Sequence, residues 1–88
     1  MIRAIWNGTV IAEAPDNVVK FVEGNVYFPP DALRAQYFRP STKVTTCFWK
    51  GQASYYDVVV DGRTTPGAAW YYAKPRILAK GIASYVSF

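Results

Sequence analysis

The chain of 88 residues is 51% hydrophobic and 17% aromatic, only 18% charged, and carries a net charge of +4. That balance excludes a disordered segment and fits one compact domain over residues 1–88, rich in Trp, Tyr and Phe. One cysteine and no histidine exclude an internal disulfide and the usual four-ligand zinc site.

The opening "MIRAIWNGTVIAEA" alternates instead of running apolar, so no signal peptide is expected. No stretch approaches the roughly 20 apolar residues of a membrane span. A reduced cytoplasmic setting and no membrane partner are the expectations. Arg3–Trp6 and Thr9–Ala14 flank Asn7-Gly8, a pair suited to a type I′ hairpin turn, where both central residues need positive φ. "VVKFV" at 18–22 and "VYF" at 26–28 repeat the pattern around Gly24-Asn25. Two successive hairpins predict a four-stranded antiparallel meander.

"PPDALRAQYF" breaks the alternation. Pro30 suits a first helical position, and Pro40 ends whatever helix forms, so one or two turns are expected at 31–36. Lys43–Thr46 is a strand, Gly51 bends the chain after it, and Ala53–Val60 is the best strand in the sequence. Asp61-Gly62 is another I′ signal. "RTTPG" reads as a loop and "AAWYYA" at 68–73 as the returning strand. Alternation puts Ser54, Tyr56, Val58 and Val60 on one face, the more apolar and expected core, and leaves Tyr55 and Asp57 with Ala53 and Val59 on a more polar side. If 53–60 and 68–73 pair antiparallel, Tyr55 or Tyr56 reaches Trp70 or Tyr71. Pro75–Lys80 reads as a short helix with Gly81 at its left-handed C′ position, and 82–88 as a closing strand. The fold class is all-β with one or two short helices: an antiparallel hairpin meander folded into a tent- or barrel-like sheet pair. Edge strands at Thr9–Glu13 and 82–88 allow a monomer or an edge-paired homodimer.

Charge is uneven along the chain. Residues 1–33 hold Arg3 and Lys20 against Glu13, Asp16, Glu23 and Asp31; residues 34–88 hold eight basic groups against Asp57 and Asp61. The basic residues are scattered singly, which reads as a solvated surface. Nucleic acid is therefore not the expected partner, although aromatics flanked by Arg and Lys on a sheet can stack single-stranded bases.

"RAIWNGTVIAEA", "VEGNVYFPPDAL", "PSTKVTTCFWKGQASYYDVVVDG" and "GAAWYYAKP" together resemble the small bacterial family of domains of unknown function numbered 427, which also bears a nucleotidyltransferase-like nickname. The resemblance runs over nearly the whole chain and implies an all-β, tent-like domain with no established activity. Related tent-like domains often hold zinc between cysteine pairs, which this chain lacks. The family's loop usually reads Cys-Pro-Trp-Lys-Gly; here Phe48 stands in place of the proline.

The candidate site centres on "CFWKG", residues 47–51. Lys50 sits between Trp49 and a glycine that lets a ligand approach the backbone, a setting for an anion or carbonyl contact. Trp49, Tyr55, Trp70 and Tyr71 would form walls with polar tips; their alternative role is core. Cys47 reads either as a thiolate favoured by Lys50 or as a small buried side chain. Asp57 and Asp61 do not make a convincing Mg²⁺ site for nucleotidyl transfer, and no Gly-rich phosphate loop is present. The expectation is a small polar or anionic ligand in an aromatic pocket with a lysine, without a cofactor. Single-stranded nucleic acid, a protein partner, or an enzyme of the nicknamed kind are the other readings, and no reaction is legible.

Overall fold

A computed structural model describes residues 1–88. Eight strands follow one another: β1 Ile2–Trp6, β2 Thr9–Ala14, β3 Lys20–Val22, β4 Asn25–Tyr27, β5 Phe38–Cys47, β6 Gly51–Val60, β7 Arg63–Tyr71 and β8 Val86–Ser87. They form three antiparallel sheets, β1-β2, β3-β4 and β5-β6-β7-β8, and none closes into a barrel. No helix is long and apolar enough to cross a membrane.

The tight turns follow their chemistry. Asn7-Gly8 (φ 48° and 76°) and Asp61-Gly62 (52° and 74°) both hold positive φ at two successive residues, as a type I′ turn demands. In the second hairpin the central pair is Glu23-Gly24 (54° and 79°), one residue earlier than expected, and Asn25 already belongs to β4. The first two hairpins stay separate sheets and do not merge into the expected four-stranded meander. Competing partners explain this. Ala12 of β2 bridges Leu33, and Arg34 N–H donates to the Ile11 carbonyl at 2.9 Å. Beyond β4, Phe28 exchanges two 2.8 Å backbone hydrogen bonds with Val86.

The same competition removes the helix expected at 31–36. Two single 3-10 turns, Pro30–Ala32 and Ala35–Tyr37, are separated by an extended Leu33 (φ −76°, ψ 139°) that is drawn onto β2. The helix expected at Pro75–Lys80 is a 3-10 turn over Ile77–Ile82. Gly81 lies inside it, and Ser84 (φ 64°) carries the left-handed conformation instead. Of the expected closing strand only Val86–Ser87 is a strand; Ala83 makes an isolated parallel bridge to Tyr72.

Two prolines run inside strands. Pro40 lies in edge strand β5, where residues 41–43 bulge opposite Tyr55. The expected loop "RTTPG" is part of β7, where residues 66–68 bulge opposite Asp57. Asp57 Oδ1 accepts the Gly67 N–H at 2.9 Å and so holds that bulge shut.

Both faces of the four-stranded sheet are packed. Val58, Val60 and Ala69 join Ile11, Phe38 and Val86 on one face, with Tyr56 and Tyr71 against them. Ala53 joins Tyr27, Tyr72, Ala79 and Ile82 on the other, with Trp49, Tyr55 and Trp70 alongside. Strand alternation sorts these sets as expected. The side read as more polar is nevertheless a second core: Ala53 is only 2% exposed.

Candidate functional site

The β5–β6 hairpin closes through three residues, Phe48, Trp49 and Lys50, between the paired Cys47 and Gly51. Gly51 has φ +106°, a conformation that L side chains rarely adopt, so glycine is required there. Arg76 N–H donates to the Lys50 carbonyl at 2.9 Å, which ties the loop to the segment leading into the last 3-10 turn.

The three loop side chains part company. Phe48 is 86% exposed, Trp49 is half-buried, and Lys50 is only 6% exposed. A buried ammonium must be paired or it loses its charge. Lys50 Nζ pairs with the Glu23 carboxylate, which the I′ turn of the second hairpin presents to it. It also lies 5.3 Å from the Trp49 ring centroid and 5.5 Å from that of Tyr72, within cation–π range. Burial pulls the Lys50 pKa down. The Glu23 hydrogen bond and the nearby Tyr27 and Tyr72 hydroxyls push it up and prevail, so the pKa lies above the ordinary 10.5. The hydrogen bond from Lys50 in turn holds Glu23 below its ordinary 4.5. Lys50 at neutral pH is therefore a fixed cation and not a free amine nucleophile.

Cys47 is free and half-buried. The backbone N–H groups of Lys50 and Trp49 favour its thiolate over burial, lowering its pKa below 9.0. Tyr55 pairs with Trp70 across the β6–β7 ladder. Its hydroxyl is taken by Thr45 Oγ1 at 2.8 Å, and Lys43 Nζ stands 4.5 Å from its ring. Trp70 Nε1 donates to the Tyr27 hydroxyl at 3.3 Å. Cys47, Trp49, Tyr55 and Trp70 all pack against the second core, and Lys50 lies beside them. Tyr71 does not join them: it is on the opposite face, stacked on Tyr56 at 4.9 Å. Asp57 is spent on the Gly67 bulge and Asp61 sits in its turn at φ 52°. No three Cys, Asp or Glu side chains converge as a metal site.

Beside Trp49 opens a cleft of about 270 Å³ with a mostly apolar lining that includes Phe21, Val22, Leu78 and Ile82. Lys20 stands at its rim, donating to the Gly81 carbonyl and lying 4.8 Å from the Tyr85 ring. Trp49 is the one predicted site residue that lines this cleft. Sequence reasoning missed Glu23, Tyr27 and Lys20; Tyr72 belongs to the aromatic strand that the sequence singled out. Glu23 did leave a signal, a non-glycine at a turn position that requires positive φ. Nothing local marked it as the partner of a lysine 27 residues away.

The fold also gathers charge that looks scattered along the chain. Segments 20–23, 47–51 and 74–82 meet through the Lys50–Glu23 pair, the Arg76–Lys50 backbone bond and the Lys20–Gly81 contact. They carry Lys20, Lys50, Lys74, Arg76 and Lys80 against Glu23 alone. Elsewhere Arg3, Arg34, Arg39, Lys43 and Arg63 balance Glu13, Asp16, Asp31, Asp57 and Asp61. The whole net charge of +4 therefore lies on these three segments, and Lys20 is the charged residue that lines the cleft.

Residues 1–88 match the family model described as Domain of unknown function (DUF427), so the whole chain belongs to that family. No curated protein matches it.

Proposed function

We propose that this DUF427 domain is a binding module for a small ligand with an apolar body and an anionic group, seated in the cleft beside Trp49. The observation that carries this reading is a mostly apolar cleft with Lys20 in its lining, built from segments that together carry the molecule's net positive charge. Ligand sites characteristically combine apolar walls with a few placed polar groups, and this cleft is near the small end of their size range. Trp49, Phe21 and Leu78 supply the walls. Lys20 meets the anion by exchanging its Gly81 carbonyl contact for the ligand. Lys50 contributes a fixed charge behind the indole and holds Trp49 in place. Cys47, Tyr55 and Trp70 support that wall from the second core. Tyr71, on the far face, plays no part.

Binding is favoured over catalysis by how the reactive groups are already engaged. Lys50 is a paired ammonium, and Asp57 holds a bulge. The chain has no histidine to serve as a base beside Cys47.

The test is a thermal-shift and calorimetry panel of amphipathic carboxylates, sulfonates and phosphates. Matched neutral and cationic analogues and short single-stranded oligonucleotides serve as comparison. Saturation at 100 times Kd adds about 2.7 kcal/mol, a rise in Tm on the order of 10 °C for a domain this small. Anionic amphipaths should raise the Tm of wild type, and Leu78→Glu, which puts a carboxylate in the cleft, should abolish the shift. Equal shifts from neutral and anionic analogues, or none from any, would remove the reading. A preference for oligonucleotides that fades steeply with salt would replace it with nucleic-acid binding.

A further inference from the structure

We infer that the same end of the molecule docks on an anionic lipid surface. This goes beyond the cleft, because the residues that carry it point outward and two of them do not line it. Phe48 is 86% exposed, Leu78 85%, Ile77 78% and Phe21 66%. They make up half of the eight large apolar side chains exposed anywhere on the chain, and they come from three separate segments that the fold ties together. A cluster of this kind on a small protein marks an interaction surface. Around it stand Lys20, Lys74, Arg76 and Lys80, all exposed, while the single carboxylate on these segments, Glu23, is engaged by Lys50.

Charge selects the occupant. A second copy docking by the same face would set one +4 surface against another across a two-fold axis, so self-association is disfavoured. Shape also contributes. Phe48 is in a hairpin loop, Ile77 and Leu78 begin the last 3-10 turn, and Phe21 lies on the short two-stranded β3-β4 ribbon; exposed groups of this kind enter the headgroup boundary without a complementary partner surface. Apolar insertion joined to basic attraction is how surface-bound proteins hold anionic bilayers. No span is needed for this, so the lack of an apolar helix is no obstacle.

The experiment is sedimentation of the full chain with phosphatidylcholine vesicles, with and without about one-third phosphatidylglycerol. Wild type should partition at least about tenfold better onto the anionic vesicles at roughly 0.1 M salt and lose most of that at 0.5 M. The pairs Phe48→Ser/Ile77→Ser and Lys74→Glu/Arg76→Glu should each lower partition about fivefold or more. Both change exposed side chains, and circular dichroism is the check that they fold. Phe48→Ser/Ile77→Ser should still bind a cleft ligand, which separates failure of this inference from failure of the cleft reading. Wild type that ignores anionic vesicles, or variants that partition like wild type, overturn the inference. Retention on an acidic polypeptide without vesicle binding also overturns it and assigns the face to a protein.

Discussion

Strand β6 ends in a different kind of hairpin at each extremity. At its C-terminal end, Asp61-Gly62 makes a polar I′ turn; both residues are exposed, and Val60 just before them is buried. At its N-terminal end, Phe48 is out in solvent and Lys50 is in the core. One end obeys the ordinary rule of burial and the other inverts it. The inversion persists only because a second hairpin supplies Glu23 and two aromatic rings flank the ammonium. The difference teaches that burial in this loop is set by a charged partner on another hairpin, which leaves Phe48 exposed at the same end as the cleft beside Trp49.

The sharpest way to break the contrast is Lys50→Ala. It removes a buried, paired and packed side chain and should cost about 3 kcal/mol in urea unfolding, whereas Asp61→Asn should stay within about 0.5 kcal/mol. Equal effects would mean that the two ends do not differ. Gly51→Ala comes next, at about 2 kcal/mol, because φ +106° must be strained or abandoned. Cys47 alkylation at neutral pH should slow with it, since the turn N–H groups that favour the thiolate would move.

The pair itself is read by pH. Glu23 is depressed in the fold, so its contribution is full above its ordinary 4.5 and is lost as pH falls through the lowered value. Lys50 is raised, so its contribution is full below 10.5 and is lost as pH rises beyond it. Stability should therefore hold between these limits and fall outside them, and Glu23→Gln should flatten the acid limb. Superimposable profiles of wild type and Glu23→Gln would show that the pair contributes nothing. The smallest effect belongs to Phe48→Ser, within about 0.5 kcal/mol, with solubility improved. A large loss there would show that Phe48 packs against something after all.

Local chemistry was legible in the sequence. Asn7-Gly8, Asp61-Gly62 and Gly51 named their turns, and alternation along β6 placed Ala53 and Val58 on opposite faces. Pairing of β6 with β7 put Tyr55 or Tyr56 within reach of Trp70 or Tyr71, and the register sets Tyr55 opposite Trp70. Long-range competition was not legible. Leu33 leaves a helix for β2, and Pro66-Gly67 enters a strand because Asp57 caps its bulge. The candidate site divided in the same way. Trp49 and Lys50 were found from their loop. Glu23, Tyr27 and Tyr72 come from other segments and became partners only through the fold. Tyr71 was grouped with Trp70 although adjacent residues on a strand face opposite ways.

The paired bonds between Phe28 and Val86 bear on how the chain is born. Val86–Ser87 touches β7 on one side and the end of the second hairpin on the other, so the last strand adds a backbone link between two sheets that otherwise meet through side chains. Contacts that span nearly sixty residues form late and slowly. On the ribosome, the backbone link between the second hairpin and the main sheet cannot form until residues 86–87 have emerged from the exit tunnel. The domain therefore completes its fold only after residues 86–87 are available, and core side chains such as Phe28 and Val86 stay uncovered until then.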